Sequence, residues 1–270
     1  MAKLPDPEVV DPAALARAYA AGDIDLICVV GPTASGKTRY AVQLAKEMRF
    51  SHPFGVRNDN VIPSEASVSP ESLSADSRQV YVGMDIGTGK DLREYGDVPY
   101  HLIDIVPAGS KFNIYQYQEA FAKAYADVRR RGAIPILCGG SGLYIESVTR
   151  AYKFEKQNGL PDEALPRNPY YIGTLVSREE RVARIDRRLE ERLQEGLVEE
   201  IRTLLKTVKA EDILYYGLEY KFVTQYVLGE LSYEDMVVAL GNAIHQFAKR
   251  QMTWFRGMER DGVIIHWVRP

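Results

Sequence analysis

Short apolar runs alternate with longer amphipathic segments through the first half of the chain. The runs at 24–30 and 134–138 are almost wholly apolar, which is typical of strands buried on both faces of a sheet. Apolar positions at helical spacing fill about 37–48 and 115–131, and Gly132 ends the second of these helices. This alternation predicts a parallel sheet with helices on both faces.

Helical patterns dominate from residue 177 onward. Ser177-Arg178-Glu179-Glu180 is a capping-box sequence, in which Ser177 caps the helix and the Glu180 side chain reaches back to the Ser177 backbone. The apolar run at 263–268 predicts a final strand. The rest of this part is expected to be helical, with helices at about 178–195, 198–206, 217–228 and 233–256.

The composition is that of a globular chain of 270 residues, with 46% hydrophobic and 26% charged residues. The net charge of -3 argues against nucleic-acid binding by bulk charge, so any RNA binding must come from a local patch. The N-terminus lacks the apolar core of a signal peptide, and no apolar run reaches the length of a membrane span. A cytoplasmic protein without membrane contact is therefore expected. Cys28 and Cys138 lie in predicted strands without zinc spacing, which predicts buried thiols.

The strongest motif is Gly31-Pro32-Thr33-Ala34-Ser35-Gly36-Lys37-Thr38, a P-loop between a predicted strand and a predicted helix. Gly31 and Gly36 let the backbone wrap with its N–H groups pointing inward, and Lys37 adds a positive charge. The Thr38 hydroxyl can ligate Mg²⁺, and the start of the helix contributes its dipole. The motif predicts a diphosphate or polyphosphate ligand, but it does not identify that ligand as ATP.

Two other stretches offer chemistry beside the P-loop. Asp76 comes after the first strand–helix unit, where it could act as a general base or a magnesium partner, or simply cap a turn beside Ser77. Gly139-Gly140-Ser141-Gly142 follows a strand and opens a helix, so it could present N–H groups and a hydroxyl to a ligand. On spacing alone, a plain glycine turn fits this stretch equally well.

The segment from His245 to Arg256 mixes cations with aromatic residues. Such a mixture suits stacking on bases and contacts with phosphates. The alternative, which spacing alone favours, is a helix with Phe247, Trp254 and Phe255 in the core and a solvated basic face.

Six stretches of the chain form a recognisable series. They are the P-loop, Ser-Ala-Asp-Ser-Arg-Gln-Val-Tyr at 74–81, Gly-Met-Asp-Ile-Gly-Thr-Gly-Lys at 83–90, His-Leu-Ile-Asp at 101–104, Gly-Gly-Ser-Gly-Leu-Tyr at 139–144 and Ala-Lys-Arg-Gln-Met-Thr-Trp-Phe at 248–255. Together and in this order they resemble the tRNA dimethylallyltransferase family. The resemblance covers most of residues 24–150 and roughly 178–268.

The resemblance implies an α/β fold: a P-loop NTPase-like parallel sheet flanked by helices, with a helical C-terminal part. We expect one core domain over residues 1–270, acting as a monomer. Within it, 1–23 would be a lead-in, 51–73 a long loop and 151–171 a shortened insertion region.

The implied reaction is transfer of a dimethylallyl group from dimethylallyl diphosphate to N6 of an adenine near the anticodon of tRNA. The P-loop would then bind the diphosphate of the donor, with Mg²⁺ at Thr38. Asp76 would accept the N6 proton, while Lys37, Thr38 and Arg250 would stabilise charge on the departing diphosphate. The expected diphosphate contacts are Gly31, Thr33, Ala34, Ser35, Gly36, Lys37 and Thr38, and the expected acceptor contacts are Asp76, Ser77, Arg78, Gln79 and Ser141, the last replacing the family's usual threonine.

Two departures from the family pattern concern the RNA. The helical insertion that normally follows the Gly-Gly-Ser-Gly-Leu-Tyr helix is missing, with only 151–171 in its place, and 51–73 is longer than the usual link. Prenylation of a free adenine nucleotide is therefore an alternative. A P-loop kinase using ATP is another, although no clear lid arginines are seen. A non-catalytic RNA-binding protein is a third, against which the intact Lys37, Thr38 and Asp76 argue.

Overall fold

Six parallel strands form the central sheet of the computed structural model, which describes residues 5–50, 69–150 and 164–270. The strands are β1 (Leu26–Val30), β2 (Glu71–Ser74), β4 (Tyr100–His101), β6 (Pro135–Gly139), β7 (Pro169–Thr174) and β8 (Ile265–Val268). Their order across the sheet is β4-β2-β6-β1-β7-β8. A separate parallel pair is formed by β3 (Tyr81–Val82) and β5 (Val106–Pro107). The prediction of an α/β fold with a parallel P-loop NTPase-like sheet is therefore confirmed, while the single-domain organisation stays a prediction.

Strand β1 lies at the centre of the sheet because it is apolar on both faces. Helices cover each face and form a separate apolar core with it. Cys28 belongs to one core and Cys138 to the other, and both thiols are free and buried, as predicted. The helices that flank the sheet are α1 (Pro12–Ala21), α2 (Lys37–Phe50), α3 (Ile114–Arg130) and α4 (Gly142–Thr149).

A third core joins the helical C-terminal part to the segment around β3. Helix α5 begins as predicted, with the Ser177 side chain accepting from the Glu180 N–H. The second half of the predicted capping box is wrong, because the Glu180 carboxylate accepts instead from Arg184. The helices of this part are α5 (Arg178–Glu195), α6 (Leu197–Leu204), α7 (Ala210–Tyr215), α8 (Leu218–Val227) and α9 (Tyr233–Arg260).

The ends of the two predicted loops are corrected by the structure. Residues 71–73 of the predicted loop 51–73 belong to strand β2, and residues 169–171 of the region 151–171 belong to β7. The β2 strand was hidden by its polar sequence, which is buried because Arg131 and His101 bind the Glu71 carboxylate. The remainder of the two loops, 51–68 and 151–163, lies outside the described residues, as do the first four residues of the lead-in.

A membrane-spanning helix was not expected from the sequence. Within the described ranges, every helix is too short or too polar to cross a bilayer.

Candidate active site

Four segments with polar residues meet at the carboxyl edge of the sheet. The P-loop follows β1, the Ser74–Gln79 turn follows β2, the Gly139–Ser141 turn ends β6, and Thr174 ends β7. The strands are parallel, so their carboxyl ends lie side by side, which is where open α/β sheets bind ligands.

The P-loop adopts two left-handed backbone conformations, at Ala34 (φ 60°) and Gly36 (φ 82°). Glycine accommodates the second without strain. Gly31 is required for a different reason, since a Cβ there would lie 2.6 Å from the Ser35 hydroxyl and would also collide with Thr174. The two glycines of the motif therefore allow one sharp bend and one close packing contact.

Two residues predicted to bind the diphosphate have polar groups that are engaged within the protein. The buried Ser35 hydroxyl lies 2.6 Å from the Thr174 hydroxyl, and the Ser35 N–H donates to the Pro32 carbonyl at 3.3 Å. The Thr33 N–H donates to the Gln251 side chain at 2.8 Å. Ser35 therefore fixes the loop to the sheet, and its hydroxyl is not available to a ligand. Thr33 has only its hydroxyl left as a donor to a ligand.

Lys37 lies half-buried among charged groups of both signs. Its Nζ approaches the Pro32 carbonyl at 3.4 Å. Burial lowers the pKa of Lys37, and the Arg188 and Arg192 cations act in the same direction, whereas the Asp76 carboxylate opposes them. An anion on the P-loop would bring negative charge to a place where Lys37, Arg188 and Arg192 lie close together.

Thr38, the predicted magnesium ligand, lies beside Cys138. Burial raises the pKa of the Cys138 thiol to about 11, while Lys37 and a hydrogen bond with Thr38 act in the opposite direction. Among the described residues there is no group of three or more His, Cys, Asp or Glu side chains that could hold a metal ion. A Mg²⁺ ion at Thr38 would therefore take most of its ligands from phosphate oxygens and water, as Mg²⁺ commonly does.

The turn after β2 is fixed by hydrogen bonds around Asp76. The Arg78 N–H donates to the Asp76 carboxylate at 2.9 Å, and the Ser77 N–H donates to the Ser141 hydroxyl at 3.0 Å. Gln79 is held between the Ser74 hydroxyl and the Gly89 carbonyl. Four of the predicted acceptor residues thus lie together. Asp76, Ser77 and Gln79 belong to the turn after β2, and a hydrogen bond joins this turn to Ser141 in the turn after β6.

Arg78, the fifth predicted acceptor residue, points toward the helical part. Its guanidinium lies 6.0 Å from the centre of the Tyr216 ring, within the range of a cation–π contact. It is half-buried beside the loop of Gly217, where a Cβ would lie 3.6 Å from the guanidinium. Arg78 therefore forms the border between the turn of Asp76 and helices α7 and α8.

The loop 83–90, which carries part of the resemblance, is clamped from the helical side. The Glu200 carboxylate accepts from three consecutive backbone N–H groups, those of Asp85, Ile86 and Gly87, at 2.6 to 3.1 Å. Arg192 donates to the Gly87 carbonyl at 3.2 Å and pairs with the buried Glu219. Arg188 contacts the Gly89 carbonyl and Asp91.

None of these clamping residues was assigned a role from the sequence. The available signal was the spacing of Arg184, Arg188 and Arg192, which recur every four residues and so share one face of α5. Arg188 and Arg192 lie near Lys37 of the P-loop. From the sequence, their helix was predicted only to be long and charged.

Arg250, predicted to stabilise the departing diphosphate, is exposed on α9. Its guanidinium lies 5.9 Å from the centre of the Phe247 ring, and it lines a cavity of about 480 Å³ with Glu146 and Trp254. The next residue, Gln251, is the one that faces the P-loop. The structure does not bring Arg250 together with Lys37, and its predicted role stays a prediction.

Of the three aromatic residues of α9 that the spacing placed in the core, only Phe255 is buried there, whereas Trp254 is 40% exposed and Phe247 is half-buried. Phe255 is buried, and the Trp254 indole N–H donates to Glu146 at 2.7 Å with its ring over Gly142. Lys249 and Arg256 of the same helix line a second cavity of about 730 Å³, together with Arg178 and Arg181 of α5.

Comparison with known proteins gives one consistent result. A family model described as IPP transferase matches residues 79–167 and 153–258. A tRNA dimethylallyltransferase 1 of Parabacteroides distasonis is 43% identical, over 90% of this chain and 92% of that protein. A tRNA dimethylallyltransferase 2 of Bacteroides fragilis is 39% identical, over 91% of this chain and 93% of that protein.

Solved structures agree in fold. The tRNA isopentenylpyrophosphate transferase of Bacillus halodurans superposes with a TM-score of 0.73 at 26% identity, over 91% of this chain and 89% of that chain. The corresponding enzyme of Staphylococcus epidermidis gives a TM-score of 0.71 at 27% identity, over 90% and 92%.

The alignment with one relative has more positions than this chain has residues. The match to the Parabacteroides protein spans 302 positions, 32 more than the 270 residues of this chain, so that relative has at least 32 residues without a counterpart here. The two segments matched by the family model overlap at residues 153–167. This overlap lies within 151–171, the region predicted to be a shortened insertion.

Proposed function

Because the chain belongs to the IPP transferase family, we propose that it transfers a dimethylallyl group from dimethylallyl diphosphate to N6 of an adenine near the anticodon of tRNA. It is a prenyltransferase of the tRNA dimethylallyltransferase type, as relatives at about 40% identity support. The observation that carries the proposal is the position of the Asp76 turn beside the P-loop, with only strand β6 between their strands.

The donor diphosphate would occupy the P-loop. The first N–H groups of α2 have no partners within the helix, and they point toward the site together with the positive end of the helix dipole. Lys37 would contact the diphosphate directly, and Arg188 would add positive charge from α5. These groups would stabilise the negative charge that develops as the carbon–oxygen bond of the donor breaks.

The acceptor adenine would lie against the turn that carries Asp76. Its N6 forms a bond to C1 of the dimethylallyl group while the C1–O bond to the diphosphate breaks with its electron pair. The N6 proton passes to the Asp76 carboxylate, which acts as a general base. An adenine in a stacked anticodon loop must be swung out of the stack to reach this position.

Magnesium is part of the same proposal. The Thr38 hydroxyl at the start of α2 would hold the ion together with diphosphate oxygens and water, since the described residues offer no acidic cluster. The ion would supply additional positive charge to the leaving diphosphate.

A free adenine nucleotide is the second candidate acceptor, favoured by the residues that this chain lacks relative to its relatives. A kinase has no such support, since the relatives and structures compared above are all prenyltransferases by name.

The test is a transfer assay with a labelled dimethylallyl donor, offering unmodified tRNA and AMP side by side. Label on tRNA supports the proposal, and label on AMP alone shifts the acceptor to the free nucleotide. Absence of label from both, with folded protein and Mg²⁺ present, would refute prenyl transfer to either acceptor.

A further inference from the structure

Gln251 connects the P-loop to the turn that ends strand β6. Its side-chain oxygen accepts from the Thr33 N–H at 2.8 Å, and its side-chain nitrogen donates to the Gly140 carbonyl at 2.9 Å. The orientation of the amide follows from these partners, because an N–H requires an acceptor and a carbonyl requires a donor. Gln251 is only 8% exposed, so water cannot readily replace either bond.

The second of these bonds continues toward Asp76. Gly140 precedes Ser141, whose N–H donates to the Ala75 carbonyl at 3.2 Å and whose hydroxyl accepts from the Ser77 N–H. Asp76 lies between Ala75 and Ser77 and is therefore fixed on both sides by Ser141. The P-loop and the general base are thus joined through one side chain and one turn.

The two loops also touch directly. A Cβ at Gly140 would lie 3.0 Å from the Gly31 carbonyl oxygen and 3.4 Å from the Gln251 side-chain carbon. This packing leaves little room for the turn to move independently of the P-loop, and the Gln251 amide sets their separation.

We infer that Gln251 is a positioning residue that couples the donor site to the acceptor site, so that a diphosphate on the P-loop holds Asp76 in place for the acceptor adenine. The inference rests on the proposed function for its role in the reaction, but the coupling itself is a property of the two loops. Energetic coupling between sites requires a direct test, since connectivity alone does not establish it.

The first test does not use catalysis. Binding of inorganic diphosphate should slow amide hydrogen exchange in residues 74–81 of the parent protein. In Gln251→Met, which keeps the length of the side chain but loses both hydrogen bonds, diphosphate should still bind, and the protection of 74–81 should disappear. Gln246→Met is the matched control, because it makes the same change at an exposed position of α9 and should keep the protection. Protection that persists in Gln251→Met, or that never develops in the parent, would overturn the coupling.

The second test uses prenyl transfer. Gln251→Met should lower kcat by about tenfold or more at saturating donor and acceptor, a typical size for coupling between sites, with a smaller change in the KM for the donor. Gln251→Glu can still accept from Thr33 but cannot donate to Gly140, so it should show the same kcat defect, which a purely structural loss of the P-loop contact would not produce. Thermal unfolding of each variant monitors the fold.

A double-mutant cycle completes the design. If Gln251 acts through the turn, Ser141→Ala should add little to the kcat defect of Gln251→Met. If the factors by which the two single substitutions lower kcat multiply in the double variant, a path through Ser141 is refuted. An unchanged kcat in Gln251→Met would refute it as well. A parent that transfers no prenyl group to tRNA or AMP contradicts the proposed function, whereas the exchange experiment still decides the coupling.

Discussion

The hydroxyl of Ser141 accepts a hydrogen bond of 3.0 Å from the backbone N–H of Ser77. This bond joins the turn after β6 to the turn after β2 at the residue that follows Asp76. A serine that a glycine-rich sequence offers as a candidate ligand contact thus has a definite partner within the protein.

Removal of this hydroxyl should affect catalysis more than folding. Ser141→Ala leaves the half-buried Ser77 N–H without its partner, which costs about 1 kcal/mol of stability. Because the turn that carries Asp76 loses this hydrogen bond, we expect kcat to fall clearly although the variant stays folded. Steady-state kinetics and urea unfolding measure the two effects. Ser141→Thr keeps the hydroxyl and should retain activity, and equal kcat in all three proteins would show that the bond has no role in positioning.

Asp76→Asn should abolish most of the transfer while leaving the donor bound. Loss of a general base lowers kcat by about 10²–10⁴-fold, since the amide cannot take up the N6 proton. Isothermal titration with inorganic diphosphate should show that diphosphate still binds to the variant. Asp23→Asn, at an exposed position before the amino end of β1, is the control and should be fully active. Full activity of Asp76→Asn would end the assignment of the general base.

Diphosphate binding should weaken as pH rises, and at a lower pH than an ordinary lysine would give. Burial lowers the pKa of Lys37, so this residue loses its proton and its charge earlier on the way to alkaline pH. In Lys37→Arg the charge persists, so the affinity should decline less over the same range. Inorganic diphosphate titrates identically in both experiments, so the difference between the two pH profiles reports on Lys37. Parallel profiles would mean that Lys37 does not contact the diphosphate.

The Glu71 carboxylate and its partners Arg131 and His101 should stabilise the fold at neutral pH, and this stabilisation should be lost in acid. Burial alone would raise the pKa of Glu71, but hydrogen bonds from Arg131 and His101 outweigh it and hold the pKa below its ordinary value. A carboxylate with a lowered pKa stabilises the folded state above its unfolded pKa, and this contribution is lost as pH falls through the folded pKa.

Glu71→Gln should therefore lower the free energy of unfolding at pH 7 by about 1–2 kcal/mol, a value reduced because Arg131 is partly exposed. The difference from the parent should shrink below the ordinary glutamate pKa of about 4.3. Urea unfolding at several pH values measures it, with Glu119→Gln on the exposed face of α3 as the control. A difference that stays constant with pH would exclude the carboxylate as its source.

Local signals in the sequence determined much of the fold. The strands β1 and β6 are apolar over their whole length, and the P-loop and the Ser177 cap act within a few residues, so their positions follow from the neighbouring chain alone. The P-loop and Asp76 were identified for the same reason, since each belongs to a contiguous motif.

The partners of these motifs were decided only by the tertiary structure. Strand β2 is polar in sequence, and its burial depends on Arg131, 60 residues away. Gln251 is separated from Thr33 by 218 residues, and Glu200 from Ile86 by 114. Such pairs have no periodicity or spacing that marks them, because a hydrogen bond between distant segments forms only once the sheet and helices have brought their backbones together. The sequence therefore identified the groups that we propose to carry the chemistry, and the fold decided which groups hold them in place.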